Sequence, residues 1–216
     1  MKMIRLEVFG DYACFSRPEL KTERVTYDVI TPSAARGLLE SIFWHPGLKF
    51  CVERIYVLNP IRTTSIKRNE VKSKILASNV KKTMIDGKSD LYLNTSDERN
   101  QRSALILQDV HYVIESHFDM TDKAAPSDNP GKFQDILKRR IRKGQCYHQP
   151  YFGCREFPAH FCEWEGGEIH PLPIDKDLGY MLYDMNYDDL QNIQPMFFHA
   201  QLKQGIMEVE NCEVIM

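Results

Sequence analysis

Seven histidines, six cysteines and two dense groups of lysine and arginine carry most of the chemistry this chain has to offer. His45 follows Phe43 and Trp44 at the end of one helical pattern, and His148 follows Tyr147 just after a second, basic one. A histidine titrating near neutrality beside cationic side chains suits proton transfer to or from a ribose 2′-hydroxyl. Each also reads as an ordinary hydrogen-bonded surface histidine. Lys132, in Asn129-Pro-Gly-Lys, stands at a helix start, where backbone N–H groups and the dipole favour an anion. Its ammonium would there hold a phosphate or stabilise charge on a phosphorane, although an exposed lysine of a basic helix looks the same. The Gly-x-x-x-x-Gly-Lys-Ser/Thr spacing of a nucleotide loop is absent, as are Gly-x-Ser-x-Gly, His-Glu-x-x-His and a dinucleotide fingerprint. ATPase, ordinary hydrolase, zinc-protease and dehydrogenase readings lose their main support.

Metal chemistry finds little footing in the spacing. His111, Glu115 and His117 share a strand face, but at about 3.3 Å per residue the two histidines stand roughly 20 Å apart and cannot share an ion. Glu115 with His117 makes only two ligands. Cys14, Cys51, Cys146, Cys154, Cys162 and Cys212 never form a Cys-x-x-Cys pair, so they read as buried or incidental thiols. Neither a metal nor a cofactor is expected.

The elements that must position these groups follow from periodicity. Ile4 to Val8 alternates as a half-buried strand, ended by Gly10-Asp-Tyr12, and a short extended segment runs from Val25 to Ile30. Thr31 can cap and Pro32 can open a helix carrying Ala34, Leu38, Leu39, Ile42 and Phe43 inward, which stops at Pro46-Gly47. Phe50 to Leu58 is a strand. The stretch from about 62 to 102 has little apolar periodicity and reads as a mobile hairpin or long insertion. Leu105 to Phe118 is again a strand, and a second helix after Asp128-Asn-Pro-Gly131 turns Phe133, Ile136, Leu137 and Ile141 inward. This is most of a split βαβ, or ferredoxin-like (RRM-like), unit. From about 149 the segments beginning at Phe157, Gly179, Met196 and Ile206 all read as strands. The fold class is therefore α+β: a ferredoxin-like domain over 1–148 with a basic insertion at about 62–102, and a small antiparallel sheet over 149–216.

The chain has 216 residues, 43% of them hydrophobic, enough for a real core, and no apolar run approaches the roughly 20 residues of a membrane span. Its start lacks the apolar block of a secretory signal, so a soluble, cytoplasmic protein with no membrane partner is expected. Net charge is −2, but it is segregated: residues 62–82 hold seven cations against Glu70 alone, net +6, and residues 132–143 hold six against Asp135, net +5. Two such segments make a local positive potential for a polyanion. Tyr12, Phe15, Tyr27, Tyr147, Tyr151 and Phe152 lie near turns or basic residues, where rings would stack on unpaired bases.

Six separated stretches, in order, resemble one family: Val8-Phe-Gly-Asp-Tyr-Ala-Cys-Phe-Ser-Arg-Pro-Glu, Thr22-Glu-Arg-Val-Thr-Tyr-Asp-Val, Pro32-Ser-Ala-Ala-Arg-Gly-Leu-Leu-Glu-Ser-Ile-Phe-Trp, Arg68-Asn-Glu-Val, Asn129-Pro-Gly-Lys and Phe152-Gly-Cys-Arg-Glu. They are similar to the type I-C (Dvulg-subtype) CRISPR-associated RAMP endoribonucleases. The resemblance implies metal-independent cleavage of precursor CRISPR RNA beside the repeat stem-loop, leaving a 2′,3′-cyclic phosphate, and retention of the product within a surveillance complex of other CRISPR-associated subunits. Duplex DNA stays open as a further partner, and a non-catalytic subunit that binds the 5′ tag is the alternative. Such proteins commonly use a tyrosine at the end of the first helix and a Lys-His pair before the second; here those positions read Phe43 and Lys132-Phe133. Lys132, His45, His148 and Tyr147 are accordingly the expected catalytic groups. Arg24, Arg36, Arg68, Lys72, Lys138, Arg139, Arg140, Arg142, Lys143 and Arg155 are the expected RNA contacts.

Overall fold

A computed structural model describes residues 3–20, 22–87, 91–187 and 189–216; residues 88–90 of the expected insertion lie outside them. Ile4, Leu6 and Val8 point into the core while Arg5, Glu7 and Phe9 face the other way, giving β1 (Ile4–Ala13). It outlasts the expected turn, because Tyr12 and Ala13 remain paired with Gln108 and Leu107. β2 (Arg24–Val25) is brief. α1 (Pro32–Ile42) begins as its sequence dictates: Pro32 opens it, and the Thr31 hydroxyl accepts the Ala34 N–H at 3.2 Å. Then follow β3 (Leu48–Val57), β4 (Arg62–Val71), α2 (Ala77–Asp86), β5 (Arg99–Met120) and α3 (Pro130–Arg142). The Asn129 side chain caps α3 by accepting the Lys132 N–H at 2.9 Å. β6 (His160–Glu163), β7 (Lys176–Asn186), β8 (Gln194–Leu202), β9 (Ile206–Glu208) and β10 (Val214–Ile215) complete the chain.

Among the described residues, seven strands form one large sheet, in the order β6-β1-β5-β3-β9 with β2 and β4 also on β5, and β10-β8-β7 form a second. All neighbours are antiparallel except β2 and β5. The chain beyond residue 149 thus feeds both sheets, since β6 and β9 belong to the large one. α1 and α3 lie on one face of the large sheet and close the core around Leu6, Val8, Leu39, Ile114, Phe118, Phe133 and Leu137. β7 packs on α1, where Arg36 donates Nε and Nη2 to both oxygens of Asp184 at 2.8 Å and Nη1 to Glu40. Its guanidinium is a clamp between helix and second sheet. No helix among the described residues is long and apolar enough to cross a membrane.

Where a mobile hairpin or long insertion was expected, β4 and the first half of β5 make an antiparallel ladder from Arg62↔Gln108 to Val71↔Arg99, with α2 between them. The ladder leaves no hydrophobic signature because no residue of β4, or of α2 beyond it, is buried. Asp109 joins the half of β5 that pairs with β4 to the half that pairs with β3. It adopts a left-handed backbone (φ 54°), stays unpaired between Gln108↔Tyr12 and Val110↔Gly10, and accepts the Asn59 side-chain amide on its carbonyl at 3.1 Å.

Candidate active site at the end of the first helix

The last carbonyls of a helix need donors from elsewhere. At α1 they come from α3 and the chain after it: the Ser41 carbonyl accepts the N–H groups of Tyr147 (2.8 Å) and His148 (3.1 Å), and Arg140 Nη1, from the last turn of α3, donates to the Ile42 carbonyl at 2.7 Å. A cation at a helix C-terminus also suits the dipole. The Arg140 guanidinium lies 5.1 Å from the Phe43 ring centroid. Tyr147 and His148 are held directly by this helix end and His45 follows it, while Lys132 reaches it only through Asp128, so the four expected catalytic residues divide into two groups.

The first group holds Lys132 and His45. Lys132 Nζ donates to Asp128 Oδ1 at 2.8 Å, and His45 Nε2 lies 3.8 Å from Asp128 Oδ2. The Gly47 N–H donates to His45 Nδ1 at 3.1 Å, so Nε2 carries the proton of the neutral ring. The His45 ring packs 4.8 Å from that of Phe133, which in turn lies 5.9 Å from Phe43. The two phenylalanines thus meet, buried at 7% and 1% exposure. Neither ring has a proton to give, and the hydrogen bond from Lys132 holds the Asp128 carboxyl below its ordinary value. Asp128 is the member of this group that sequence reasoning missed; only its place next to the Asn129 cap hinted at it.

The second group lines an open groove of about 910 Å³ along α1, walled by Gly37, Ser41, Trp44, Tyr147, His148, Tyr151 and Arg155 among others. Tyr147 is 70% exposed and meets the His148 ring edge-on at 4.4 Å, and Trp44 is 60% exposed. Large exposed rings beside a histidine and an arginine offer stacking surfaces for bases with a proton-transfer group among them. Trp44 was not singled out from the sequence, although an aromatic just past a helix end, before Pro46-Gly47, is a legible signal. Of the other rings expected near bases, Phe15, Tyr27 and Phe152 are core residues; turns flanked them because the chain bends around the core there.

The two basic segments make no extensive contact with each other: α3 packs on α1 and β6, and β4 on β5. Residues 145–157 run between them, from the Gln145 N–H on the Arg140 carbonyl, past the groove, to Glu156, which pairs with Arg68. Several expected RNA contacts are already engaged. Arg24, Arg68 and Arg102 all approach Glu70, Lys72 lies 3.9 Å from Glu98, and Arg142 bonds Glu163 at 2.6 Å. Lys138, Arg139, Lys143 and Arg155 have no acidic partner among the described residues. Beside the groove, the Cys154 thiol shares a hydrogen bond with Cys14 and lies 3.5 Å from Arg24 Nη1. That bond from Cys14, followed by the charges of Arg24 and Arg68, outweighs burial and brings Cys154 down to about 6. On the sheet face away from the helices, His111 pairs with Glu7 and His117 with Glu53, while Glu115 accepts from Arg5, Arg54 and Tyr56. Burial opposes the charge of Glu115, but those three donors prevail and keep its carboxyl low.

The architecture has counterparts among known proteins. A family model described as CRISPR-associated protein (Cas_Cas5), named Cas_Cas5d, matches residues 3–210. The chain belongs to the CRISPR-associated Cas5 family. Within it, the chain falls in the type I-C Cas5d group that its motifs indicated: it is 48% identical over 215 residues, 95% of the chain and 94% of the relative, to the CRISPR pre-crRNA endoribonuclease Cas5d of Mannheimia succiniciproducens. It is 38% identical over 226 residues, 97% of the chain and 92% of the relative, to the Cas5d of the same description from Thermus thermophilus. A crystal structure of a CRISPR-associated protein, 21% identical, superposes with a TM-score of 0.72 over 100% of the chain and 97% of its own length, which shows a shared fold.

Proposed function

We propose that this protein is a precursor-CRISPR-RNA endoribonuclease that cuts at the repeat stem-loop base without a metal, in the cytoplasm, and then stays with the product among other CRISPR-associated subunits. The observation that carries the reading is the groove at the end of α1, where Trp44, Tyr147, His148 and Arg155 converge. Trp44, Tyr147 and Tyr151 stack on the bases that flank the scissile bond, and Arg155 holds its phosphate. Lys138, Arg139 and Lys143 meet the stem backbone. The ribose 2′-hydroxyl attacks the adjacent phosphorus and displaces the 5′-oxygen, leaving a 2′,3′-cyclic phosphate. His148 takes the proton of the 2′-hydroxyl with Tyr147 against it, a proton from water passes to the departing 5′-oxygen, and in-line placement of the 2′-hydroxyl supplies part of the rate. Lys132 and His45, held by Asp128 at the far side of the same helix end, stabilise charge as RNA approaches. The strand order β6-β1-β5-β3, with α1 and α3 as crossovers on one face, supports a ferredoxin-like unit that carries the arm at about 62–102 and draws its fourth strand, β6, from beyond residue 148, so the boundary with the C-terminal subdomain falls after β6 rather than at 148. Incubation with cognate repeat RNA in EDTA gives a single cut and a cyclic-phosphate end. An intact RNA, or a cut that requires added Mg²⁺, overturns this chemistry.

The buried contact between Phe43 and Phe133 favours a second reading, a subunit that binds the 5′ tag after another nuclease acts. Tight binding of the repeat with no product identifies that case, and one cut at the stem base removes it. Competition with random duplex DNA at physiological salt separates shape-specific RNA binding from simple phosphate attraction.

A further inference from the structure

The face of the large sheet opposite α1 and α3 carries a group that the RNA chemistry does not use. Cys51 and His117 are directly opposed across β3 and β5, and Asp119 lies two residues along β5 on the same face. One ligand atom from each of these three falls within 4.8 Å of the others. Cys51 Sγ stands 3.6 Å, and His117 Nε2 3.8 Å, from the same Asp119 oxygen, Oδ2. A tetrahedral zinc ion, with bonds of about 2.0 Å to oxygen, 2.0–2.1 Å to imidazole nitrogen and 2.3 Å to sulfur, places its ligand atoms about 3.3–3.6 Å apart. Both separations from Asp119 Oδ2 are thus within a few tenths of an ångström of that geometry, and the third, between Cys51 and His117, lies within 4.8 Å, inside the reach of a side-chain adjustment.

The histidine is also prepared for that role. Register slips between Val52 and Arg54, so Glu53 is the extra residue of a bulge, and its carboxylate meets His117 Nδ1 at 2.6 Å. A carboxylate accepts only, so Nδ1 donates to it and the lone pair of Nε2 faces Cys51 and Asp119. A buried carboxylate holding one ring nitrogen while the other faces a ligand position is the support that metal-binding histidines generally have. Glu53 is 8% exposed and is fixed further by the Val209 and Glu210 N–H groups on its carbonyl.

We propose that Cys51, His117 and Asp119 bind one divalent cation of the zinc class, with Glu53 orienting His117 and water completing the tetrahedron. Thiolate with imidazole selects zinc or cobalt over magnesium and calcium, which prefer all-oxygen sites. The ion pins β3 to β5 on the face away from the groove, so binding is scored apart from RNA cleavage.

The test is titration of tag-free, EDTA-stripped, reduced protein with Co²⁺, followed by back-titration with Zn²⁺. One equivalent of Co²⁺ should give a near-ultraviolet thiolate-to-cobalt charge-transfer band and the strong visible bands of a tetrahedral ion. Zn²⁺ should erase them, and excess Mg²⁺ should not. Cys51→Ser should remove the charge-transfer band, whereas Cys154→Ser should retain it. Asp119→Asn, at a side chain 64% exposed and so safe for folding, should weaken binding at least about tenfold. Glu53→Gln should weaken it by about 10- to 100-fold. Absence of the band in the wild type, its persistence in Cys51→Ser, or unchanged affinity in Asp119→Asn overturns the site.

Discussion

Arg36 is the sharpest point at which structure and sequence assign one residue different work. Its guanidinium makes two hydrogen bonds to Asp184 and one to Glu40, with side chains only 22%, 20% and 30% exposed respectively. Removing it as Arg36→Ala breaks three charge-assisted bonds and leaves two carboxylates close together without their cation. A fully buried pair broken in this way costs about 3–5 kcal/mol and an exposed one about 0–1. At one-fifth exposure, where water partly rehydrates both acids, about 2–3 kcal/mol is expected. For a chain of this size that corresponds to a fall in Tm of about 5–10 °C. Arg36→Lys keeps the charge but cannot make the bidentate contact, so it should recover less than half of the loss. Thermal melts give the stability, and repeat-RNA affinity well below the lower Tm gives the binding, which should change less than about threefold because the guanidinium is already occupied. A variant that melts with the wild type yet loses RNA refutes the clamp and returns Arg36 to the binding surface.

The groove assignment predicts that His148→Ala lowers single-turnover cleavage by about 10²–10⁴-fold while repeat affinity changes little; a loss that follows His45→Ala instead moves the proton transfer to the Asp128 side. Trp44→Ala should weaken RNA binding by about 1–3 kcal/mol, read as a roughly 5- to 150-fold rise in Kd, if one base stacks there. Because the bond from Cys14 and the charges of Arg24 and Arg68 favour its thiolate, Cys154 should alkylate with a pH midpoint near 6, below the ordinary thiol value of 9.0. Its rate rises as pH climbs through that midpoint and is flat by neutrality. Combining Arg24→Gln with Arg68→Gln should move the midpoint upward, and a wild-type midpoint near 9 counts against the thiolate.

Local signals were enough for the helices. Thr31-Pro32 and Asn129-Pro130 each put a capping oxygen and a proline where a helix begins, and both structures start there. β1 was readable because one of its faces is core and the other polar. The arm was legible only as a hairpin or insertion, without its strand limits or α2, since β4 and α2 bury nothing and their order comes from backbone pairing, which leaves no hydrophobic rhythm. Within the candidate site, the residue types were visible but their grouping was not. Arg36 meets Asp184 from 148 positions away, and Ser41 meets Tyr147 through a backbone carbonyl that any residue supplies. The pairing of His45 with Lys132 over Asp128 depends in the same way on two distant loops closing on one helix end.

The left-handed kink at Asp109 has a mechanical consequence. β5 is 22 residues long, about 70 Å if straight, and a single unpaired aspartate separates the half paired with β3 from the half paired with β4. It works as an elbow. An aspartate tolerates that backbone angle where a β-branched residue does not, so valine there would force the ladder beyond it into a new direction. The kink sets the direction in which the outer ladder leaves the body, while pairing of Gln108 and Leu107 with β1 and of Ala104 and Leu105 with β2 anchors the root of that ladder in the core.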